Sequence, residues 1–328
     1  MTISVAIGTY NRARMLREAL EAALAQSRAP AEIIVADDAS TDGTHEMLTK
    51  LAAGDARVKV IRRETNCGGV VNCNTAMAAA SGDLIAWCSD DDRFLPGHLE
   101  ASAVFLEAHP EVGLVHSGFI DAVETAEQST IEPRPLRAPT PLIVGPGNPF
   151  AYLTRYYDWP FHPSTLVIRR EVWQTVGSFD PAYALADTDW FVRAAEIFPT
   201  ALLPCHGVLN RRHRDNWSNR VGSARMQGEI FEIVERAMVR RWPRWRPQRT
   251  FWRAVWRANV RLRLLLTLRA RIRGGHEKAA CAVWTGLLQH TGRSVPDWLE
   301  RTGEILIRRW TRAREPRFKD ARQSVSPL

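Results

Sequence analysis

The stretch EIIVADDASTDGT, residues 32–44, decides the fold class of this chain. An apolar and partly β-branched run over Glu32–Asp37 predicts a buried strand. The polar turn Ser40-Thr41-Asp42-Gly43 follows and supplies turn and cap chemistry for a helix over Thr44–Ala53. A strand that passes through a short polar turn into a helix is the repeating unit of a parallel sheet covered by helices.

The same alternation extends along the chain on both sides of this unit. Strands are predicted over Ile3–Thr9, Val58–Arg62 and Leu84–Cys88, and helices over 12–26 and 70–80 lie between them. The pattern continues with a helix over 97–109, strands over 112–119 and 164–169, a helix over 187–198 and a last strand before His213. We therefore predict an α/β fold with a Rossmann-like, mostly parallel sheet that carries helices on both faces.

Two segments depart from this alternation. Residues 124–149 contain six prolines and little periodicity, which predicts a long loop. From Val221 onward Arg, Trp and Leu recur at helical spacing, and the segment 236–273 contains no Asp or Glu. We therefore expect two domains, an α/β one over 1–220 and a helical, Arg/Trp-rich one over 221–328.

The excess of positive charge behind the formal net charge of +8 belongs to the C-terminal segment. Within it, residues 251–266 place apolar side chains on one helical face and arginines on the other, which predicts an amphipathic helix. Such a helix either packs on a neighbouring domain or contacts an anionic membrane surface, and we expect no nucleic-acid partner. No basic leader or apolar run of ~18 residues occurs, so we expect a cytoplasmic protein that at most associates with the inner face of the membrane.

Polar or glycine-containing segments follow the first four predicted strands. They are Thr9-Tyr10-Asn11-Arg12, Asp37-Asp38, Gly68-Gly69 and Asp90-Asp91-Asp92. Because ligands of open parallel sheets bind at the carboxyl ends of the strands, we expect all four segments on one edge. Tyrosine and carboxylates suit a base and ribose, glycines allow close approach, and a carboxylate triplet calls for a cation such as Mg²⁺ or Mn²⁺ that also binds phosphates. The sequence therefore predicts a site for a metal and a nucleoside diphosphate.

Each segment taken singly also has an ordinary structural explanation. Two acids after a strand often form a turn or helix cap, and paired glycines often belong to a loop. The five cysteines include no Cys-x-x-Cys pair, so neither a zinc cage nor a disulfide framework is indicated. The order of the four segments along one edge is what favours a ligand site.

These motifs, in this order, resemble those of the family 2 inverting glycosyltransferases, which have the A-type nucleotide-diphospho-sugar transferase fold. The matching stretches are VAIGTYNR (5–12), IIVADDASTDGT (33–44), NCGG (66–69), SDDD (89–92), GSFD (177–180) and DTDW (187–190). The resemblance implies transfer of a sugar from a nucleoside-diphosphate sugar, UDP-sugar favoured, to a hydroxyl of a glycan or lipid-linked acceptor. It also implies a place in bacterial surface polysaccharide or glycoconjugate synthesis.

Carried over residue by residue, the resemblance implies that 1–220 is the nucleotide-sugar-binding and catalytic domain, with a donor site, a metal site and a catalytic base. The donor site would comprise Thr9, Tyr10, Asn11, Arg12, Asp37, Asp38, Gly68, Gly69, Asn72 and Asp90. Asp91 would be the main ligand of Mn²⁺ or Mg²⁺, with Asp92 and His213 as further ligands. Asp187 would be the base that takes a proton from the acceptor hydroxyl.

Two departures from the family pattern leave assignments open. Ser89 stands where many members have an acid, which still leaves three carboxylates for a metal. Ala186 replaces the usual Glu before Asp187, so the choice of base stays open between Asp187 and Asp189. His213 has a second interpretation, as a strand-end histidine with a local hydrogen bond.

Two other function classes compete with this interpretation. A nucleotidyltransferase of similar fold also needs a carboxylate-held metal beside a nucleotide, but the segment 9–12 lacks the Gly-rich stretch with a basic residue that is typical of such enzymes. A membrane- or nucleic-acid-binding protein is suggested by the basic C-terminal helices. Membrane contact is compatible with glycosyl transfer, since it would bring the site close to a lipid-linked acceptor.

Overall fold

The computed structural model describes residues 1–124, 129–133, 140–146, 162–214, 216 and 223–241. The chain divides into two units, Met1–Arg220 and Val221–Leu328. Of the second unit only the helix Ser223–Arg241 is described, so the amphipathic helix predicted over 251–266 lies outside the described residues. No helix within the described ranges is long and apolar enough to cross a membrane.

The described elements alternate as the sequence predicts. The strands are β1 (Ile3–Thr9), β2 (Glu32–Asp37), β3 (Val58–Arg62), β4 (Leu84–Trp87), β5 (Arg93–Phe94), β6 (Leu114–Glu124), β7 (Ser129–Pro133), β8 (Leu142–Val144), β9 (Leu166–Arg169) and β10 (Thr200–Arg212). The helices are α1 (Ala13–Leu24), α2 (Thr44–Gly54), α3 (Gly69–Ala78), α4 (His98–Ala108), α5 (Arg170–Val176), α6 (Ala186–Ile197) and α7 (Ser223–Arg241). A 3-10 turn over Pro163–Thr165 precedes β9.

All ten strands belong to one sheet in the order β3-β2-β1-β4-β9-β6-β10-β5, with β7 beside β6 and β8 beside β10. Strands β3, β2, β1 and β4 run parallel to one another. Strand β9 is inserted antiparallel between β4 and β6, and β10 runs parallel to β6. The predicted Rossmann-like α/β fold is confirmed. The sequence did not indicate that β9 runs antiparallel to its neighbours.

The core follows from the hydrophobic pattern of these segments. Every residue of β2 is buried, as is every residue of β1 except Gly8, which is partly exposed. Strands that are covered on both faces have continuous apolar runs, which explains why neither strand alternates with polar residues. Helix α1 buries its residues at spacings of three and four, namely Leu16, Ala19, Leu20 and Ala23.

The prediction of one long loop over residues 124–149 is wrong in part. Strand β6 extends to Glu124, and β7 lies antiparallel to it. Strand β8 pairs antiparallel with the start of β10. Proline is tolerated at the end of a strand, where Pro133 stands, and so a proline-rich stretch does not exclude short strands.

The amino-terminal edge of the parallel strands is held by one buried carboxylate, that of Glu32. Its Oε1 accepts hydrogen bonds from Ser4 Oγ (2.6 Å), the Ser81 N–H (2.7 Å) and Ser81 Oγ (2.8 Å). Its Oε2 lies 2.6 Å from Lys59 Nζ. The Gly82 N–H in turn donates to Ser4 Oγ at 2.8 Å. One side chain thus joins the starts of β1, β2 and β3 to the turn before β4.

We predict that Glu32→Gln lowers the free energy of unfolding at pH 7 by about 1–3 kcal/mol, because buried donors lose a charged acceptor. Burial raises the pKa of Glu32, but the bonds from Lys59, Ser4 and Ser81 outweigh burial and lower this pKa to about 2. A depressed folded-state pKa stabilises the fold above the unfolded-state pKa of ~4.3, and this contribution is lost as pH falls towards 2. Urea unfolding at pH 7 and at several values between pH 5 and 3 measures both effects.

Glu21→Gln is the matched control, since Glu21 is an exposed residue of α1. Its free energy of unfolding should stay within ~0.5 kcal/mol of the wild type. Equal unfolding midpoints for the two variants at pH 7 would show that Glu32 does not hold this edge.

Candidate active site

The loops that follow β1 and β2 are hydrogen-bonded to one another. The Asn11 N–H donates to Ser40 Oγ at 2.9 Å, and the Thr41 N–H donates to Asn11 Oδ1 at 2.7 Å. Asn11 and Ala39 have left-handed backbone, with φ of 53° and 62°. Asparagine adopts this conformation more readily than most residues. Asn11 therefore fixes the backbone from which the side chain of Arg12 extends.

Asp38 joins the end of β2 to the loop before α3. Its Oδ1 accepts a hydrogen bond from the Cys67 N–H and its Oδ2 one from the Gly68 N–H, both at 2.9 Å. Gly68 has φ of 90°, a conformation that favours glycine, and Gly69 is the first residue of α3. The structure thus brings Asp38, Gly68 and Gly69 together. The amides of Cys67 and Gly68 are directed at the buried Asp38 carboxylate.

Asn72 lies buried below this edge. Its Nδ2 donates to the backbone oxygens of Thr9 (3.1 Å) and Ala36 (2.7 Å). Gly8 allows α3 to approach β1, since a Cβ at this position would lie 2.9 Å from Cys73 Sγ. Asn72 therefore ties the ends of β1 and β2 to α3, which is a supporting position within the predicted donor site.

Tyr10 and Asp37 differ in exposure. Tyr10 is 45% exposed, so its ring is open at the edge of the sheet and suits stacking on a base. Asp37 is fully buried, and its Oδ1 accepts a hydrogen bond from the Ser40 N–H at 3.0 Å. Its Oδ2 lies 3.8 Å from His45 Nδ1 and 3.9 Å from Arg62 Nε. Asp37 therefore shapes the loop after β2 from inside.

Asp90 and Asp91, which follow β4, share a single arginine. Arg12 Nη1 lies 2.9 Å from Asp90 Oδ1 and 2.5 Å from Asp91 Oδ2. Thr9 Oγ1 donates to Asp90 Oδ2 at 2.8 Å. The structure therefore brings the end of β1 and the start of the acidic triplet together, as the sequence predicts.

His213 and Asn216, which follow β10, reach the same oxygen of Asp91. His213 Nε2 lies 3.2 Å and Asn216 Nδ2 3.3 Å from Asp91 Oδ2. The Asn216 side chain also accepts a hydrogen bond from the His213 N–H at 2.5 Å and donates one to the Arg211 oxygen at 3.1 Å. The contact of His213 is thus long-range in sequence, 122 residues from Asp91, and not only local.

Asp92 points into the protein and is almost fully buried. Its Oδ2 accepts a hydrogen bond from Ser164 Oγ at 2.5 Å, and its Oδ1 one from the Arg211 N–H at 3.1 Å. His162 Nδ1 lies 3.6 Å from Oδ2. Both oxygens of Asp92 therefore bind donors of the protein, which favours a supporting position behind Asp91 over direct contact with a metal.

Burial and crowding spread the pKa values of the three carboxyls. Burial raises the pKa of Asp90 to about 6, against the lowering effect of Arg12. Burial and the charge of Asp91 raise the pKa of Asp92 to about 8. Burial also acts on Asp91, but contact with His213 and the charge of Arg12 outweigh it and hold the pKa of Asp91 below its ordinary value. Negative charge is therefore held most firmly at Asp91.

Asp189, in the first turn of α6, belongs to a structural ion pair. Its Oδ2 accepts a hydrogen bond from Arg193 Nε at 2.7 Å. The same guanidinium donates to the backbone oxygens of Val176 (2.7 Å) and Ser178 (2.9 Å). Asp189 thus anchors α6 to the loop after α5.

Asp187, in the same turn, has different surroundings. Its Oδ1 accepts a hydrogen bond from the Thr188 N–H at 2.7 Å. Burial raises the pKa of Asp187, because desolvation disfavours the charged form. The charges of Asp187 and Asp91 both act on His162, so Asp187 lies on the same side of the molecule as the acidic triplet.

An aromatic cluster fixes α6 against β4 and α3. Trp87 and Phe179 have ring centroids 4.7 Å apart, and Trp190 lies 5.8 Å from Phe179 and 5.9 Å from Trp173. Asn74 exchanges two hydrogen bonds of 2.9 Å with the backbone of Phe179. The GSFD segment is therefore a packing element that holds the first turn of α6 in place.

Asp91 and His213 are the residues that would hold a divalent cation. In the part of the chain that the structure describes, no three His, Cys, Asp or Glu side chains gather into a preformed cation site. Mg²⁺ in nucleotide sites takes only one or two carboxylates and completes its shell with phosphates and waters. A carboxylate oxygen and a ring nitrogen 3.2 Å apart supply protein ligands for such a shared shell, because histidine is a common metal ligand as well.

Three site residues escaped sequence reasoning, namely His162, Ser164 and Asn216. Their contacts with the triplet span 70 or more residues and leave no local pattern; that between Ser164 and Asp92 spans 72. The position of Ser164 depends on the direction of β9, which the sequence did not indicate. An antiparallel strand begins where its parallel neighbours end, so polar residues just before β9 fall on the carboxyl edge.

The sequence comparisons define the class of protein. The sequence model of the family described as glycosyl transferase family 2 matches residues 4–174 of this chain. The chain is similar to the uncharacterized glycosyltransferase YwdF of Bacillus subtilis, with 33% identity over 234 residues, 69% of this chain and 81% of YwdF. The chain therefore belongs to glycosyltransferase family 2 and is a glycosyltransferase, which confirms the predicted family.

Other relatives and solved structures agree with this family. The putative glycosyltransferase EpsE of Bacillus subtilis is 36% identical over 154 residues, 46% of this chain and 54% of EpsE. The crystal structure of S. aureus TarS 1–349 in complex with UDP-GlcNAc has a TM-score of 0.62 at 16% identity and covers 95% of this chain and 91% of that one. The similarity to TarS shows the same fold.

Proposed function

We propose that this glycosyltransferase moves a sugar from a nucleoside-diphosphate sugar, with UDP favoured, to an acceptor hydroxyl in a single inverting, metal-dependent displacement. The observation that carries the proposal is the convergence of Arg12, Asp90, Asp91 and His213 at the carboxyl ends of β1, β4 and β10. Cations and carboxylates crowded at such an edge suit a metal-bound diphosphate. The TarS structures with UDP-GlcNAc and with UDP support the choice of nucleotide.

Surface polysaccharide or glycoconjugate synthesis is the process we propose, with a glycan or lipid-linked acceptor. The support comes from the names of relatives. The putative teichuronic acid biosynthesis glycosyltransferase TuaG of Bacillus subtilis is 33% identical over 104 residues. The chain spans only 41% of TuaG, so the acceptor is not carried over from it.

In the proposed donor site, Tyr10 and Thr9 hold the base, Asp90 faces the ribose, and Asp38 orders the glycine loop beside them. Asn11, Asp37 and Asn72 fix the loops that carry these groups. Asp91 and His213 would hold Mn²⁺ or Mg²⁺, which supplies positive charge to the leaving diphosphate. Asp92 supports Asp91 from the interior.

We assign the catalytic base to Asp187 in preference to Asp189. Asp189 is neutralised by Arg193, and its removal would release α6. Burial raises the pKa of Asp187, which strengthens it as a proton acceptor. In the proposed step the acceptor oxygen bonds to the anomeric carbon, its proton passes to Asp187, and the nucleoside diphosphate leaves with the bonding electrons.

We predict that Asp187→Asn lowers turnover about 10²- to 10⁴-fold and leaves UDP binding close to that of the wild type, because only general-base assistance is lost. A hydrolysis screen of UDP-, GDP- and dTDP-sugars with Mn²⁺ first identifies the donor. Turnover with that donor and calorimetry with UDP then separate rate from affinity.

Asp189→Asn is the matched comparison in the same helical turn. It should lower the free energy of unfolding by about 1–3 kcal/mol, since the Arg193 guanidinium loses its charged partner. Normal turnover in Asp187→Asn together with a large loss in a folded Asp189→Asn would reverse the assignment.

We predict that Asp91→Ala weakens the binding of Mn²⁺ and UDP together, by at least ~10-fold, because charge neutralisation at the diphosphate is lost. His213→Ala should shift binding in the same direction. Calorimetry with UDP in the presence and absence of Mn²⁺ measures both. Asp55→Asn, a change at a partly exposed position before β3, is the control, and binding by Asp91→Ala at the control level would contradict the metal assignment.

We also propose peripheral contact with an anionic membrane through the basic segment 236–273, which would leave the protein at the inner face of the membrane. The support is its sequence, with arginines, tryptophans and no carboxylate. Co-flotation with vesicles that contain anionic lipid is expected, and it should weaken with salt and in the triple variant Arg253→Glu, Arg257→Glu, Arg261→Glu. A protein that remains in the soluble fraction would exclude this contact.

A further inference from the structure

One guanidinium nitrogen occupies the space beside the carboxylate that would receive the metal. Arg12 Nη1 lies 2.5 Å from Asp91 Oδ2 and 2.9 Å from Asp90 Oδ1. A divalent cation bound to the same Asp91 oxygen would take a position ~2.0–2.2 Å from it. Two positive groups that close to one oxygen repel each other, so Arg12 and the cation compete for Asp91.

In the absence of ligand, Arg12 stabilises two buried carboxylates at this position. Asp90 and Asp91 are each only 8% exposed, and buried like charges destabilise each other unless they are paired. The backbone of Arg12 is set by Asn11, whose side chain and N–H are bound to the loop after β2. Its side chain is 21% exposed, which gives the guanidinium a way towards solvent.

The nucleotide supplies an anion that can bind Arg12, which a free cation does not. A displaced arginine loses one buried carboxylate partner and needs another anion. The diphosphate is such an anion, and a guanidinium binds phosphate oxygens with two parallel hydrogen bonds. Cation and nucleotide together therefore give both Asp91 and Arg12 a new partner, whereas the cation alone leaves Arg12 with one carboxylate fewer.

We propose that Arg12 withholds Asp91 from a divalent cation until a diphosphate arrives, so that cation and nucleotide bind as a pair. The inference rests on the proposed function and adds the order and coupling of the two ligands. Because coupling between two ligands is reciprocal, Arg12 also makes nucleotide binding depend on the cation by the same factor.

The test measures free Mn²⁺ by electron paramagnetic resonance during titration of the full chain, with and without UDP. The wild type should bind Mn²⁺ at least ~10-fold more tightly with UDP than without it, within the usual range of coupling. Arg12→Gln should bind Mn²⁺ alone ~10-fold more tightly than the wild type, and UDP should change that affinity little. Arg57→Gln, which removes an arginine paired with partly exposed Asp55 ahead of β3, should behave as the wild type.

Mn²⁺ binding by Arg12→Gln that is no tighter than that of the wild type, or coupling to UDP that persists in it, overturns the inference. Circular dichroism checks folding, and Arg12→Lys carries the test if Arg12→Gln does not fold. Lysine keeps the charge on a single ammonium without the planar guanidinium, so the same change in Mn²⁺ affinity is expected at smaller size. A wild type that binds no Mn²⁺ even with UDP would instead contradict the proposed function.

Discussion

The burial of three successive carboxyls after β4 is the constraint on which the carboxyl edge of the sheet depends. Asp90, Asp91 and Asp92 are each less than a tenth exposed, and adjacent charges cannot stay in a low-dielectric interior without partners. Each neighbouring element contributes at least one partner. The end of β1 gives Thr9 and Arg12, the segment before β9 gives Ser164, and the end of β10 gives the backbone of Arg211 and then His213.

This requirement explains the arrangement of the strands around the triplet. Parallel neighbours bring their carboxyl ends to the edge where Asp90–Asp92 lie. The antiparallel strand β9 brings its beginning to the same edge, so that Ser164 reaches Asp92. The three acids therefore end in three environments, one bound to Thr9 and Arg12, one shared by Arg12 and His213, and one enclosed by neutral donors. The division of roles that we propose, between nucleotide, metal and support, rests on this difference in partners.

Local pattern was sufficient to predict most of the fold and the location of the site. The apolar runs of β1 and β2 and the acids that end them are properties of neighbouring residues, and hydrophobic period and turn chemistry express them. Local pattern was not sufficient to predict which partner each carboxylate binds. Asp189 next to Asp187 has the same sequence character, yet its pairing with Arg193 depends on how α6 packs against the preceding loop. Likewise Asn72 is a buried support because α3 lies close to β1, and the short strands β7 and β8 depend on the edges that β6 and β10 offer.

Glu32 lies at the opposite end of the parallel strands from the acidic triplet and joins three of them by itself. The starts of these strands are therefore joined by contacts that are separate from the proposed donor site. Substitutions at exposed positions of the loops at the other end leave these contacts intact, whereas buried residues there, such as Asn72 and Asp92, also hold the framework. Family members built in this way can diverge in the sugars and acceptors that they use while the scaffold beneath stays the same.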